Sequence, residues 1–354
     1  MSTAERPLAF RALPAFLLGA LLAATLASCA PASPPEAART QFVLGTVCSV
    51  RIVSSAPGTD TSRTLDACFA RLQAIEDAMS VNKAGTQLDA VNEAAGKAAV
   101  KVGEDLFRVV SKALEYGSLS GGAFDPTVGP LVKLWGIGTE AARVPSRKEI
   151  AAALALIDWK GVAIDPAAST VRLARPGMRL DLGAIAKGYA ADEMERILLE
   201  RAVRAAVVDL GGNVFVFGKK PDGRKWRVGV QDPVTKRGEY LGLVEGEDMT
   251  VVTSGVYERV FEQDGRRYHH ILDTKTGYPV DNGLVSVTIV ASSSIDADGL
   301  STSLFALGRE RGMALAATLP GVQVIMVDAQ DRVYLSPGAG KVFSLTSPNY
   351  RLSD

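Results

Sequence analysis

Histidine and cysteine are scarce in this sequence, which contains two histidines and three cysteines among 354 residues. The histidines, His269 and His270, are adjacent, so the ligand spacing of the usual zinc clusters cannot be assembled from them. There is also no GxxxxGKS/T phosphate loop and no GxSxG nucleophile elbow. A glycine-rich GIGTEA at 136–141 does not follow a clear strand and is rejected as a dinucleotide fingerprint. These absences exclude the commonest zinc, nucleotide and hydrolase sites.

Basic residues are not in excess, because 39 Lys and Arg residues balance 39 Asp and Glu residues. Removal of an N-terminal segment, predicted below, would take Glu5, Arg6 and Arg11 with it and leave no positive surplus. Nucleic-acid binding depends on such a surplus, since cationic side chains displace condensed counterions. We therefore expect no nucleic-acid partner.

The apolar run at 13–27 is short for a membrane span, which needs about 20 residues. Preceded by Arg6 and Arg11, it has the form of a secretory signal. It ends in LASC, which resembles the bacterial lipobox, in which the cysteine is lipidated and becomes the first mature residue. A plain signal peptide with a chance cysteine is the alternative. We predict a lipoprotein signal peptide at 1–28, lipidation of Cys29 and a Pro/Ala-rich tether at 29–41.

Only two cysteines follow that processing site. Cys48 lies in a strand-like TVCSVRI and Cys68 on the apolar stripe of a helix, so both are expected to be small core residues. A disulfide between Cys48 and Cys68 is the alternative, because an exported protein meets an oxidising environment. Residues 42–348 contain no internal repeat and no second Pro/Ser-rich linker, which favours a single composite domain.

Helical spacing of apolar residues predicts three early helices. The first carries Leu65, Cys68, Phe69, Leu72, Ile75 and Met79; the second covers 106–114; the third starts at Ser146, which forms a capping box with Glu149. Before them, QFVLGTVCSVRIV at 41–53 is predicted to be one opening strand. A fourth helix carries Tyr189 and Met194.

Strand patterns dominate the second half of the chain. They occur at 205–218 (broken by two glycines), 225–233, 249–254, 257–272 (with a hairpin turn at Asp264–Gly265), 283–291, 322–328 and 332–336, and a helical segment lies at 294–319. Helices early and hairpins late predict an α+β fold with a largely antiparallel sheet and packed helices.

Six small-residue turns carry carboxylates or hydroxyls. They are GGAFDPTVGP, LDLGAIAKGY, VDLGGN, TSGVYERVF, YHHILDTKTGYP and DADGLSTSLF. In the second, Gly183 and Gly188 interrupt the start of an amphipathic helix, where glycine costs stability. One interpretation is a strand-to-helix turn whose amides and Lys187 meet a phosphate. The other is an ordinary turn with an exposed lysine.

Oxygen ligands at 296–302 suit a hard cation. Asp298 and Thr302 are four residues apart at a helix start and would face the same way. Such a pair fits Mg²⁺, which binds through one or two carboxylates together with substrate phosphates. The alternative is that Asp296 or Asp298 only caps the helix.

In this order and spacing, GGAFDPTVGPLVKLWGIG, DLGAIAKGYAAD, VDLGGNVFVFG, SGVYER, YHHILDTKTGYPV and ADGLSTSLFALG resemble the ApbE family of FAD:protein FMN transferases. The resemblance covers about residues 42–345. It implies a single ApbE-type, T-fold-like domain that uses FAD as substrate and Mg²⁺ as cofactor. Family members transfer FMN through its phosphate to a Thr or Ser hydroxyl of a partner protein and release AMP.

The same resemblance implies a cellular location and binding partners. Many members are periplasmic lipoproteins, which agrees with the predicted Cys29 anchor, so we expect a periplasmic protein held at the bacterial cell membrane. Its expected partners are FAD and acceptor proteins with a Thr or Ser in a flavinylation motif, such as subunits of membrane redox complexes. Two alternatives remain: an Mg²⁺-dependent FAD pyrophosphatase that forms FMN and AMP, and a lipoprotein that only binds flavin.

The resemblance also implies roles for individual residues. Leu44, Ala123, Phe124, Asp125, Asp181, Lys187 and Leu272 match cofactor contacts, and Ala184, Asp298 and Thr302 match metal ligands. An alanine side chain cannot ligate, so Ala184 would have to use its backbone carbonyl. His270 matches a histidine implicated in catalysis and would position or deprotonate the acceptor hydroxyl. The alternative is a structural histidine at a strand end.

The chain departs from the family at one cofactor position. In AMSVNKAGTQLDAVN, Asn82 stands where many relatives carry an aromatic residue, often tyrosine, that packs on the cofactor. An amide offers little stacking area. We therefore expect looser FAD binding and some FAD hydrolysis when no acceptor is present. The alternative is that Asn82 only ends the preceding helix.

Overall fold

The computed structural model describes Met1, residues 36–235 and residues 238–353. The predicted signal peptide after Met1, the lipidation site Cys29 and most of the predicted tether lie outside the described residues. The described residues from 36 onwards belong to one compact unit. None of the described helices is both long enough and apolar enough to cross a membrane.

The described residues contain eight α-helices. They are α1 (Thr61–Met79), α2 (Gln87–Glu93), α3 (Glu104–Leu119), α4 (Gly129–Trp135), α5 (Arg147–Leu154), α6 (Ala186–Glu200), α7 (Ser294–Leu307) and α8 (Arg309–Ala316). The apolar stripe predicted for α1 is buried along the helix. The capping box of Ser146 and Glu149 is present, but α5 ends at Leu154 and is shorter than its apolar pattern indicates. Gly308, with a φ of 78°, separates α7 from α8 within the predicted helical segment at 294–319.

The strands form one large sheet and three small ones. They are β1 (Ala37–Val43), β2 (Thr46–Ser55), β3 (Val100–Lys101), β4 (Val162–Asp165), β5 (Thr170–Leu173), β6 (Val203–Leu210), β7 (Asn213–Gly218), β8 (Trp226–Gln231), β9 (Tyr240–Gly246), β10 (Met249–Gly255), β11 (Val260–Gln263), β12 (Arg266–His269), β13 (Leu284–Ala291), β14 (Gln323–Asp328), β15 (Arg332–Leu335), β16 (Phe343–Leu345) and β17 (Arg351–Ser353). The nine-stranded sheet has the order β1-β2-β6-β7-β10-β13-β14-β15-β17. Its neighbours are antiparallel except β15 and β17, which are parallel.

Two apolar layers cover the faces of the large sheet. On one face, α1, α3, α6 and α7 pack against alternate residues of the strands and form the main core. On the other face, the small sheet β16-β9-β8 packs through residues such as Trp226 and Val244 onto β7, β10, β13 and β14. A third cluster around Trp135 joins α4 and α5 to the segment at 261–278. The prediction of an α+β fold with a largely antiparallel sheet is confirmed.

The prediction of one opening strand is wrong. β1 and β2 are separate strands of a hairpin, and Val43 pairs with Thr46 across a two-residue turn. Both turn residues have positive φ, 58° at Leu44 and 69° at Gly45. This geometry matches the right-handed twist of a hairpin, but it usually selects Asn or Asp at the first position. Leucine gives no such signal, so the alternating pattern concealed the turn.

Both later cysteines behave as predicted core residues. Cys48 and Cys68 are free and fully buried. Burial raises the pKa of Cys48 to about 12 and that of Cys68 to about 11. Their thiols are therefore protonated and unreactive at neutral pH.

Candidate active site

The candidate site is built where α6 crosses α7. Gly188 in the first turn of α6 donates its backbone N–H to Oδ2 of Asp298 in α7, at 2.8 Å. A Cβ on Gly188 would lie 2.2 Å from the carbonyl oxygen of Ser294 and 2.7 Å from Cα of Ile295. Only glycine therefore permits the two helices to approach closely enough for this bond.

Asp298 is a buried carboxylate with a nearby cation. It is 3% exposed, and its Oδ1 lies 3.6 Å from Nζ of Lys187. It does not cap its helix, because the N-cap of α7 is Ser293, whose side chain accepts from Asp296 N–H. Asp192 of α6 accepts the N–H groups of the next two residues of that helix. The capping alternative for Asp298 is thus excluded, and its carboxylate serves the contact between the helices.

Three hydroxyl groups are connected to one another and to the backbone of Asp298. Ser254, near the end of β10, has its Oγ 2.8 Å from Oγ of Ser301 and 3.2 Å from Oγ1 of Thr302. Ser301 also donates to the carbonyl of Asp298 at 2.9 Å. Thr302 was predicted as a site residue, whereas Ser254 and Ser301 were not. Ser254 lies in the motif TSGVYERVF and Ser301 in DADGLSTSLF, so their membership in these motifs is the sequence feature that could have identified them.

The start of α6 leaves one backbone carbonyl open. In a regular helix the N–H of Gly188 would bond to the carbonyl of Ala184. Here that N–H is given to Asp298 instead. The predicted use of the Ala184 carbonyl as a ligand is therefore compatible with the backbone.

These donors suit a hard divalent cation. Asp298 would supply one carboxylate, Thr302 and Ser254 would supply hydroxyls, and Ala184 would supply a carbonyl; all of these ligand atoms are oxygens. No group of three or more His, Cys, Asp or Glu side chains that could hold a metal exists among the described residues. A cation at Asp298 would consequently need further oxygens from water or from a phosphate.

Asp181 organises the turn that precedes α6. Its N–H bonds to the carbonyl of Pro126 at 2.8 Å, and its Oδ1 accepts the N–H of Gly183 at 2.8 Å. Burial raises the pKa of Asp181, while the hydrogen bond and the positive charges of Arg259 and Arg179 lower it. The turn at 180–185 is thereby bonded to Pro126, which directly follows the AFD segment at 123–125.

The carboxylate of Asp125 is already engaged by the protein. Its Oδ1 accepts the N–H and Oγ1–H of Thr127 at 2.8 and 2.6 Å, and its Oδ2 accepts the N–H of Trp159 at 3.0 Å. It is 8% exposed, and burial raises its pKa against the effect of these bonds. A cofactor contact at 123–125 would have to use the backbone or displace one of these donors.

Phe124 and Leu272 are core residues beside the site. Phe124 is 4% exposed and packs edge-on against Tyr116, with ring centroids 6.1 Å apart. Leu272 is 7% exposed and belongs to the cluster around Trp135. Ala123 is partly buried. Their side chains are buried or partly buried and offer little free surface to a ligand.

His270 follows β12 and lies next to the segment at 255–259. Its N–H donates to the carbonyl of Arg259 at 3.2 Å, and its Nδ1 is buried without a hydrogen-bond partner among the described residues. Burial, followed by the positive charge of Arg259, lowers the pKa of His270 to about 3. The imidazole is therefore uncharged at neutral pH and retains a nitrogen that can accept a proton.

The hairpin turn at Leu44 lies between α1 and the β6–β7 turn. The backbone of Leu44 bonds to the carboxylate of Glu76 near the end of α1. A Cβ on Gly211 would lie 2.2 Å from Oγ1 of Thr46. The charge of Lys187 lowers the pKa of Cys48 in β2, against the larger effect of burial, so the hairpin is within electrostatic reach of the site.

Asn82 is exposed in the turn between α1 and α2. Its N–H donates to Oγ of Ser80, the C-cap residue of α1, at 3.2 Å. Its side chain makes no hydrogen bond within the described part of the chain. Asn82 therefore does not cap α1 with its side chain, and that side chain is free to face solvent or a ligand.

Contacts join the predicted residues in three groups. Lys187, Asp298 and Thr302 form one group with Ser254; Asp181 is bonded to Pro126, next to the segment at 123–125; and His270 is bonded to Arg259. The charges of Lys187 and Arg259 both act on His270, which links the groups electrostatically.

The sequence profile of the ApbE family matches residues 44–326. This chain belongs to the ApbE family. It is 42% identical over 316 residues to the FAD:protein FMN transferase of Treponema pallidum, covering 86% of this chain and 87% of that protein. It is 30% identical over 333 residues to the FAD:protein FMN transferase of Escherichia coli K12, covering 90% and 95%. The resemblance seen in the motifs is confirmed.

Solved structures agree with the fold. The flavin transferase ApbE of Vibrio cholerae superposes with a TM-score of 0.77 at 31% identity, covering 87% of this ApbE-family chain and all of that chain (100%). The ApbE protein of Thermotoga maritima superposes with a TM-score of 0.76 at 34% identity, covering 88% and 97%. At these identities the likeness extends beyond the fold to the family.

Proposed function

We propose that this ApbE-family chain is an FAD:protein FMN transferase that uses Mg²⁺ and modifies a Thr or Ser hydroxyl of an acceptor protein. The observation that carries the proposal is the buried Asp298, which is bonded to Gly188, lies 3.6 Å from Lys187 and is connected through its backbone and Ser301 to the Ser254–Thr302 hydroxyls. This arrangement offers one carboxylate and neutral oxygens for a cation, with a lysine beside them for a phosphate. Relatives named FAD:protein FMN transferase over nearly the whole chain support it.

The reaction is a displacement at phosphorus. The acceptor hydroxyl oxygen forms a bond to the phosphorus on the FMN side of the diphosphate, and the bond from that phosphorus to the AMP phosphate oxygen breaks. The products are FMN joined to the acceptor through a phosphoester, and AMP. The hydroxyl loses its proton in the process. Bound Mg²⁺ would supply positive charge to the diphosphate and to the departing AMP.

Side chains of the protein position the acceptor hydroxyl and add positive charge near the phosphates. His270, uncharged at neutral pH because burial lowers its pKa, orients the acceptor hydroxyl, and the hydroxyl proton passes to the phosphate oxygen that leaves with AMP. Lys187 places a compact positive charge near the phosphates.

Two other activities remain to be separated from transfer. Water in place of the acceptor hydroxyl would give FAD pyrophosphatase activity, and no reaction would leave a flavin-binding protein. Purified mature protein is incubated with FAD, Mg²⁺ and an acceptor. AMP with FMN fixed on the acceptor supports transfer. AMP with only free FMN indicates hydrolysis, and no AMP indicates a binding protein.

The same proposal places the enzyme in the periplasm, anchored to the membrane through lipid on Cys29. The LASC sequence ending at Cys29 and the short apolar run before it support this placement. Cys29→Ser should release a soluble or unprocessed form, since the acyl chains anchor by burying methylene groups. Mass spectrometry of the mature N-terminus provides the check. An unmodified start at another residue would refute the anchor.

A further inference from the structure

Arg259 is an arginine without a counter-ion beside the candidate site. It is exposed, and within the described ranges its side chain forms no ion pair and no hydrogen bond. Arg179, the other arginine whose charge acts on Asp181, lies 3.8 Å from Asp89. Lys187 lies 3.6 Å from Asp298. Of these three cations, Arg259 alone has no carboxylate within ion-pair distance.

Two other segments of the chain hold Arg259 in its place. Its carbonyl accepts the N–H of His270 at 3.2 Å, which fixes the backbone beside the predicted catalytic histidine. Its aliphatic stem passes over Gly138, where a Cβ would lie 3.2 Å from Cδ of the arginine. Gly138 has a φ of 88°, a conformation that favours glycine. The loop after α4 therefore supports the stem and leaves the guanidinium free.

The charge of the Arg259 guanidinium affects two residues of the candidate site, Asp181 and His270. Burial raises the pKa of Asp181, before α6, and the positive charge of Arg259 opposes that rise; burial lowers the pKa of His270, after β12, and the same charge lowers it further. Neither residue forms an ion pair with the guanidinium. An unpaired guanidinium in such a position attracts an anion, and its fork of N–H donors matches phosphate oxygens.

We infer that Arg259 binds a phosphate oxygen of FAD. The inference rests on the proposed function only for the identity of the substrate. It gives the anionic diphosphate a ligand from the β10–β11 segment, in addition to the residues around Asp298. FAD has two phosphates, one on the FMN side and one on the AMP side. A guanidinium without a counter-ion can bind an oxygen of either.

Binding measurements test the inference. Affinities for FAD, FMN, AMP and riboflavin are compared in wild type, Arg259→Ala and Arg259→Lys, with Mg²⁺ present and at several salt concentrations. Arg267→Ala is the matched control, because Arg267 is an exposed arginine of β12 on the next hairpin strand. Thermal unfolding of each variant confirms that it is folded.

Arg259→Ala should bind FAD about tenfold more weakly, the loss expected for a charge-assisted hydrogen bond, and with less salt dependence. Arg259→Lys should fall between it and wild type. Riboflavin, which has no phosphate, should bind all variants equally. A loss confined to AMP assigns the contact to the AMP phosphate, and a loss confined to FMN assigns it to the FMN phosphate.

FAD affinity and salt dependence in Arg259→Ala equal to those of Arg267→Ala would overturn the inference. So would an equal loss for riboflavin, which would indicate a structural role. The proposed function is judged separately, from AMP release and FMN transfer by wild type. If wild type neither releases AMP nor transfers FMN, that proposal fails, while the affinities still decide the role of Arg259.

Discussion

Gly188 donates its N–H to the carboxylate of Asp298, and the contact that permits this bond leaves no space for a side chain at position 188. The glycine that weakens the start of α6 is therefore required by the crossing of α6 over α7. The same crossing positions the one carboxylate of the candidate cation site. The same pair of residues therefore serves both the packing of α6 on α7 and the candidate cation site.

Gly188→Ala should destabilise the protein by roughly 2 kcal/mol or more, because the new Cβ meets backbone atoms of Ser294 and Ile295 that cannot move independently. Gly183→Ala is the control, since its Cβ would meet only Oδ1 of Asp181, at 3.1 Å. Thermal unfolding compares the two variants. Equal midpoints for both would mean that the helices can separate without cost.

Much of the fold followed from periodic patterns. The stripe of α1, the capping box of Ser146 and the Asp264–Gly265 hairpin are local signals, and each is present in the structure. The turn at Leu44–Gly45 was missed because a leucine at positive φ is specified by the surrounding sheet and not by its own chemistry. Short elements such as β3 have too few residues to show a period.

The candidate site was predictable as motifs but not as contacts. The sequence placed Lys187 and Asp298 in two separate turns, and only the helix crossing shows that they are 3.6 Å apart. Ser254 could not be singled out within TSGVYERVF, because a hydroxyl on a strand has no distinctive sequence pattern. Asp125 was expected at the cofactor, and its three protein donors could be found only from the folded loop.

Asp298→Asn should reduce AMP release by roughly 100-fold or more at ordinary Mg²⁺ concentrations, because the site loses its carboxylate. Asparagine retains an oxygen for the Gly188 N–H, so the fold should survive. Thr302→Ala should act in the same direction more weakly, since a neutral group is lost. AMP release is measured across Mg²⁺ concentrations.

Asp296→Asn is the matched control for Asp298→Asn. Asp296 lies on the same helix but bonds to Tyr116 and Lys112, away from Lys187. This variant should retain the Mg²⁺ dependence of wild type. Near-full turnover by Asp298→Asn would remove Asp298 from the cation site.

Acid should weaken the fold partly through Asp105. Hydrogen bonds from Arg71 hold the pKa of Asp105 below its usual value, and Tyr189 donates to the same carboxylate. A carboxyl with a lowered folded pKa stabilises the fold above its unfolded pKa of about 3.9, and this contribution is lost as pH falls through the folded pKa. Stability below about pH 4 should thus decline less steeply in Asp105→Asn than in wild type.

Urea unfolding between about pH 2 and pH 6 measures that slope. Arg71→Ala should flatten it in the same way, because it removes the main cause of the lowered pKa of Asp105. An unchanged slope in both variants would show that the pair does not contribute to acid sensitivity.

Asn82→Tyr should convert a weak cofactor contact into an aromatic one. Asn82 is exposed in the turn after α1, and its side chain has no hydrogen-bond partner within the described chain, so the substitution removes no internal contact. A stacked tyrosine adds about 0.5–1.5 kcal/mol beyond its buried area. FAD should therefore stay bound through purification, and free FMN production without acceptor should fall.

The change at Asn82 separates hydrolysis from transfer. Water reaches the diphosphate more easily when no ring covers the flavin, whereas an acceptor hydroxyl is delivered by its own protein, so transfer should change less than hydrolysis. Asn82→Ala serves as the control, since it removes the amide without adding a ring and should hydrolyse FAD at least as fast as wild type. FAD affinity and the two product yields are measured together. If Asn82→Tyr and wild type show equal FAD affinity and equal hydrolysis, position 82 lies away from the flavin, and the cofactor is covered by another part of the chain.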